Sequence, residues 1–360
     1  MTGPSARPDP SAEIRMTTLH ATRGANFWSS GPVIRMDLAV GAYEDISSAD
    51  VSGFTESLIE AMPGLYNHRC SIGEYGGFIV RLRDGTYAPH IVEHIALELQ
   101  TMMGHDVGYG RTRGGDVDGE YTLVFEHMHE GVGLRAAALA LETVQQAFAQ
   151  TLKSVDHAVA ELKALSETPD VPPVKQHVLC GITGGSDRAA TRDELVKRGF
   201  GVRDLIVDVS PSFLLQTGLP YSRSALAIVL DTNLTDIPER YREPERAQRL
   251  MSCVADAVDR GGIVICPAKE WEIQEKVRDA GCRVAIFATD SNVTRRDRKL
   301  ARAVALVVND TIMIDFKGEQ TSHGAIRSDA PVAAQVAAAL AAFTLNEVQP
   351  QAAVTAGARG

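Results

Sequence analysis

Six short, mostly apolar runs constrain the fold of this chain more than any other feature. HVLCGI (177–182), LIVDV (205–209), LAIVL (226–230), GIVIC (262–266), RVAIFA (283–288) and ALVVN (305–309) recur through the second half, with helix-like segments between them. Runs of this length are too short for buried helices. Apolar on both sides, they suit strands of a mostly parallel sheet that is covered on both faces. The pattern predicts an α/β domain over 177–346. Ahead of it, SETPDVPPVKQ (166–176) holds three prolines and reads as a linker.

The first half has a different rhythm. VIRMDLAV (33–40) alternates as a strand, and 46–62 is an amphipathic helix ended by Pro63-Gly64. GGFIVRL (76–82) reads as a second strand turning at Asp84-Gly85. A helix runs from Pro89 to Gly104, and HDVGYGRTRGG (105–115) is a Gly- and Arg-rich loop. YTLVFEHMH (121–129) is a strand, and 133–165 is mostly helix. This predicts an α+β domain over 16–165, with its ordered part starting near Gly24 and disordered tails at 1–15 and 347–360.

Composition narrows the function classes. A formal net charge of −10 argues against nucleic acid or an anionic membrane as partner, and no apolar run is long enough to span a bilayer. The N-terminus lacks the apolar core of a secretory signal. The five cysteines, Cys70, Cys180, Cys253, Cys266 and Cys282, are too scattered for a disulfide framework. A cytoplasmic protein is expected.

One helix carries chemistry that a helix does not need. YAPHIVEHIALELQ (87–100) holds the pattern H-x-x-E-H at His90, Glu93 and His94. Residues four apart share a helix face, so both imidazoles can meet one metal ion, with Glu93 beside them to take a proton from a metal-bound water. This order is the inverzincin signature. Cys70, in HRCSIGEYGG, is the first choice for a third Zn²⁺ ligand, since a strand–turn–helix connection can return it to the helix. Glu98, Glu126, His127, His129 and Glu130 follow, with His68 and His105 weaker. Arg111 and Arg113 stand where they could hold a carboxylate or an oxyanion.

GANFWSSGPVIRMDL, LYNHRCSIGEYGGFIVRLRDGTYAPHIVEHIALELQTMMGHDVGYGRTRGG and YTLVFE…GVGLRAAALAL resemble the N-terminal domain of the cyanophycin synthetase family over about 17–165. That domain can carry a zinc peptidase-like site that trims a polymer of aspartate bearing arginine. The resemblance implies zinc on Cys70, His90 and His94, Glu93 as base and Arg111 at the substrate. The helix is also similar to those of insulinase-type peptidases and zinc-dependent S-ribosylhomocysteine lyases; the latter use a Cys/His/His set.

The remainder departs from the family. Residues 166–176 stand where the family carries an ATP-grasp domain, and the C-terminal Mur lobe is expected to be missing too. Residues 177–346 resemble a degenerate Mur-ligase central domain. In GITGGSDRAAT (181–191), Asp187, Arg188 and Ala189 replace the glycine, lysine and threonine of the phosphate loop. Asp208, Pro211, Ser212 and Phe213 replace a glutamate and an Arg-Gly-Gly turn, and CPAKEW (266–271) stands where NADDP is expected. Together these changes predict no use of ATP. The resulting expectation is a zinc hydrolase without ligase activity, acting on a peptide or small molecule with aspartyl or arginyl groups, as a homo-oligomer. The alternatives are a non-catalytic partner of a true ligase and a zinc-dependent lyase.

Overall fold

The structure, a computed structural model, describes residues 7–171, 175–200 and 205–348. These fall into two units. The first takes 7–22 and 32–171, the second 23–31, 175–200 and 205–348.

The first unit opens with a one-turn helix α1 (Pro10–Glu13), capped by Asp9, and strand β1 (Arg15–Thr22). Order therefore begins before Gly24, and of the tail expected to be disordered residues 1–6 lie outside the described residues. Next come β2 (Val33–Ala39), α2 (Phe54–Ala61), α3 (Gly77–Asp84), α4 (Ala88–Met102), β3 (Gly110–Gly114), β4 (Glu120–Glu126), α5 (Glu130–Phe148) and α6 (Asp156–Ser166). The strands form one antiparallel sheet in the order β1-β2-β4-β3. Alternation in β2 and β4 turns Met36, Leu38, Leu123 and Phe125 into the core, where Ile91, Ile95 and Leu99 of α4 and Ala136, Ala140 and Val144 of α5 meet them. Each large apolar side chain buried this way contributes roughly 1.5–3 kcal/mol.

Three sequence expectations fail here. GGFIVRL is the helix α3, not a strand. Phe78, Ile79 and Leu82 are buried while Val80 is 47% exposed, the spacing of a helix face. The loop 105–115 contains β3, a polar strand held by its ladder to β4. The long helix over 133–165 is two helices, broken where Gln150 takes a positive φ of 58°.

In the second unit the six apolar runs are the six parallel strands. The chain runs β5 (Lys175–Thr183), α7 (Arg188–Lys197), β6 (Ile206–Val209), α8 (Pro211–Thr217), β7 (Tyr221–Val229), α9 (Pro244–Asp256), β8 (Val258–Pro267), α10 (Trp271–Asp279), β9 (Arg283–Phe287), α11 (Arg295–Leu300), β10 (Val304–Val308), β11 (Thr311–Phe316), β12 (Glu319–Ala325) and α12 (Val332–Phe343). The sheet order is β12-β11-β10-β9-β8-β7-β5-β6, parallel from β6 to β10. The last two strands are antiparallel and were not expected. The turn from β10 to β11 uses Asn309 and Asp310 at φ 47° and 57°, the left-handed pair that a tight hairpin requires.

A nine-residue stretch of the first half, 23–31, belongs to this second unit. Arg23 N–H donates to Thr217 O at 2.7 Å, and Leu219 N–H in turn donates to Ala25 O at 2.7 Å. Arg249 donates to Asn26 O and Phe27 O, and the rings of Phe27, Trp28 and Tyr241 pack edge to face. Of the expected linker, 172–174 lie outside the described residues, as does the tail from 349. No helix among the described residues is long and apolar enough to cross a membrane.

Candidate metal centre

Helix α4 starts with Pro89 in its first turn and is buried over most of its length, including Glu93, His94 and Glu98. These polar groups, with His90, look into a cavity of about 1050 Å³. Cys70 reaches them from the loop between α2 and α3. That loop is folded back on itself: Gly76 N–H donates to Tyr66 O, and Phe78 N–H donates to His68 O. A side chain at Gly77 would put its Cβ 2.1 Å from Arg69 O, so glycine is needed for the close approach. Cys70 itself takes φ +54°, a conformation that costs an ordinary residue roughly 1–2 kcal/mol. The connection onward to α4 is helix–turn–helix, not the strand–turn–helix expected, and it still carries the thiol to the histidines.

Cys70 Sγ lies 3.3 Å from His90 Nε2, and ligand atoms of Cys70, His90 and His94 all fall within 4.8 Å of one another. A tetrahedral zinc ion with ordinary bond lengths spaces a sulfur and a nitrogen ligand by roughly 3.5 Å. The nitrogens are also correctly disposed. Thr86 Oγ1 sits 2.9 Å from His90 Nδ1, and His68 Nδ1 sits 2.8 Å from His94 Nδ1, which leaves both Nε2 atoms for an ion. Burial, aided by the charge of Arg81, lowers the His90 pKa to about 4. Burial, with His90 and His68 nearby, drives His94 well below its usual value. Both rings are therefore neutral at neutral pH, the form a metal requires. Phe78 stacks on His94 at 3.9 Å between centroids and fixes its plane. The residues present fit a zinc ion.

Glu93 stands beside this set. Burial raises its carboxyl to about 7, only partly offset by Thr112 Oγ1–H, which donates to Oε2 at 2.5 Å. Gly110 of β3 makes room, since a Cβ there would sit 2.6 Å from Glu93 Oε1. Four arginines line the same cavity: Arg69, Arg81, Arg111 and Arg113. Arg69 lies over the Tyr75 ring at 4.3 Å. None of the four has an acidic partner among the described residues.

The other candidate ligands go elsewhere. Glu98 lines the cavity but is held by His68. Glu126 accepts from the amides of Gly108 and Tyr109. His129 caps α5 by accepting from Val132 N–H, and Glu130 follows it in the first turn of that helix. Both ring nitrogens of the half-buried His127 are shielded and have no hydrogen bond among the described residues. His105 is not among the residues lining the cavity. Sequence reasoning missed Thr86, Thr112, Arg69 and Arg81 and ranked His68 low. For Thr86 a signal existed, its position four residues before His90.

The loop after β5 is also ordered. Asp187 takes φ +55°, the conformation that glycine adopts at least cost. The Gly185 and Ser186 amides donate to the Asp231 carboxylate at 2.7 and 3.2 Å, and Ser186 Oγ donates to it at 2.7 Å. Arg188 turns back onto Gly184 O, and Arg192 pairs with Asp208.

Residues 33–149 match the family described as the cyanophycin synthase-like N-terminal domain. A cyanophycin synthetase of Trichormus variabilis is 33% identical over 257 residues, 70% of this chain and 27% of that protein. Over residues 33–149 the chain carries a domain of the cyanophycin synthase-like family. A cyanophycin synthetase of Synechocystis sp. is 39% identical over 148 residues, 39% of this chain and 16% of its own. The chain thus spans about a quarter of the length of the first of these relatives. Among solved structures, a pseudomurein peptide ligase type C from Methanothermus fervidus aligns with a TM-score of 0.34 at 10% identity, covering 54% of this chain and 53% of its own. MurF ligase from Thermotoga maritima in complex with ADP aligns with a TM-score of 0.32 at 11% identity, covering 48% and 46%.

These relatives correct the functional expectation. They are named synthetases, enzymes that form bonds. The reading as a zinc hydrolase without ligase activity is overturned, and its non-catalytic and lyase alternatives fall with it. The physical reason is that H-x-x-E-H spacing specifies where two imidazoles and a carboxylate point. It does not specify which bond is made or broken beside them.

Proposed function

We propose that the chain is an enzyme of the cyanophycin synthetase type, and that its first unit is a zinc-dependent site that grips an acidic peptide, the aspartyl chain of a cyanophycin-like polymer or its precursor. The observation that carries this reading is the pairing of a three-ligand cluster with four arginines free of acidic partners in one cavity. The chain as a whole has a net charge of −10, so this concentration of guanidinium groups runs against its general character and favours a ligand rich in carboxylates. Cys70, His90 and His94 would hold the ion, which supplies a fixed positive charge for a ligand oxygen. Glu93, poised near neutrality, would hold or pass a proton beside it. A reducing cytoplasm is in keeping with five cysteines of which none is paired.

Calorimetry with the zinc-loaded chain and a short aspartyl peptide tests this. The peptide binds and its asparaginyl counterpart does not. Arg111→Ala and Arg113→Ala each weaken binding by roughly 10–100-fold, the worth of a hydrogen bond to a charged group, and added salt weakens it further. Equal binding of the asparaginyl peptide would overturn the reading.

A further inference from the structure

We infer that His68 and Glu98 form a relay that sets the tautomer of His94 and so prepares it to hold a metal ion, which makes His68 a positioning residue for the site. The inference rests on the zinc reading above and extends it to two residues that touch no ion. His68 Nε2 lies 2.9 Å from Glu98 Oε2, and His68 Nδ1 lies 2.8 Å from His94 Nδ1. The direction of each bond follows from the far end. A carboxylate only accepts, so His68 carries its proton on Nε2 and donates it to Glu98. Its Nδ1 then has a lone pair and accepts from His94 Nδ1–H. The proton on His94 is thereby held at Nδ1, and the lone pair stays on Nε2, the nitrogen on the side of Cys70 and His90. With the opposite tautomer, an N–H would point where the ion belongs.

The surroundings support a built arrangement. The Glu98 side chain is only 4% exposed, and His68 is its one ion-pair partner among the described residues. Gly64 is shaped around it, since a Cβ at that position would fall 2.0 Å from Glu98 Oε1. His68 is held in turn by its own backbone, whose carbonyl accepts from Phe78 N–H at the start of α3. Thr86 makes the corresponding contact to His90 with a single hydroxyl. The thirty-residue separation of His68 and Glu98 shows that two distant segments contribute to one proton arrangement.

Zinc affinity, measured on the full chain by competition with a chromophoric chelator at neutral pH, tests the relay. His68→Phe keeps a ring of similar volume beside Phe78 and His94 but removes both nitrogens. It lowers affinity by about 10–100-fold, the usual worth of an outer-sphere partner. His68→Asn restores an acceptor near Nδ1 and recovers part of that loss, which a purely packing role would not produce. Glu98→Gln keeps the shape, removes the charge that orients His68, and also weakens binding. Wild-type affinity in His68→Phe overturns the relay; should that variant not fold, unchanged affinity in Glu98→Gln does so. A wild-type chain that binds no zinc would fail the metal reading instead, so the two failures are distinct.

Discussion

His94→Ala leaves the purified chain without zinc, while the wild-type chain carries about one ion. The wild-type set supplies a cysteine sulfur and two imidazoles within 4.8 Å of one another. Removing His94 leaves two ligands, Cys70 and His90, and the loss in affinity exceeds the 10–100-fold that an outer partner is worth. The substitution also removes a ring stacked on Phe78, so part of any change could come from packing. Cys70→Ser separates the two effects. It is nearly isosteric and leaves α4 untouched, yet it trades a soft thiolate for a hydroxyl that zinc binds poorly. Elemental analysis after dialysis should find both variants depleted. Full zinc occupancy in either one, or none in the wild type, would sink the assignment of these three residues.

Glu93→Gln makes the metal-free chain more stable at pH 8 than the wild type by about 3 kcal/mol, relative to the difference between the two at pH 4. The carboxyl is raised from 4.5 to about 7 by burial. Below 4.5 the group is protonated in both folded and unfolded chains and contributes nothing that depends on pH. Between 4.5 and 7 the unfolded chain releases its proton while the folded chain keeps it, so stability falls by about 1.4 kcal/mol for each pH step. Above 7 both forms are ionised and the penalty stays constant. Glutamine cannot ionise and escapes the whole decline. His90, depressed to about 4, works in the opposite sense: its contribution is complete above 6.5 and is lost as the pH falls towards 4. It is present in both chains and cancels in the comparison. Denaturant melts at the two pH values measure the difference. A variant whose advantage does not change with pH would show that Glu93 is ionised in the folded chain well below neutrality.

The parts of the fold that the sequence declared are those in which burial leaves a local pattern. The six parallel strands were legible because a strand covered on both faces must be apolar on both faces, whatever its neighbours. The side of α4 that presents both imidazoles was legible because His90 and His94 are one turn apart, and that spacing needs no knowledge of the rest of the chain. Local patterns misled where they were short or polar. Seven residues of GGFIVRL fit a strand and a helix, and the burial of Ile79 beside an exposed Val80 is a tertiary fact. Strand β3 has no apolar residue to announce it, and only its pairing with β4 makes it a strand.

What the sequence determined by itself was the class of each unit and the residues able to ligate a metal. Only the tertiary structure decided which of those residues meet. It brought Cys70, rather than Glu98, Glu126, His127, His129 or Glu130, together with His90 and His94, gathered Arg69, Arg81, Arg111 and Arg113 in one cavity, and joined His68 to Glu98 and His94. It also placed residues 23–31 with the second unit. The physical reason is one of range. Periodicity records which face of a segment is buried, and it acts over a few residues. The meeting of side chains twenty or thirty positions apart depends on how loops close and on where glycines such as Gly64, Gly77 and Gly110 let backbone and carboxylate approach, and no single segment carries that information.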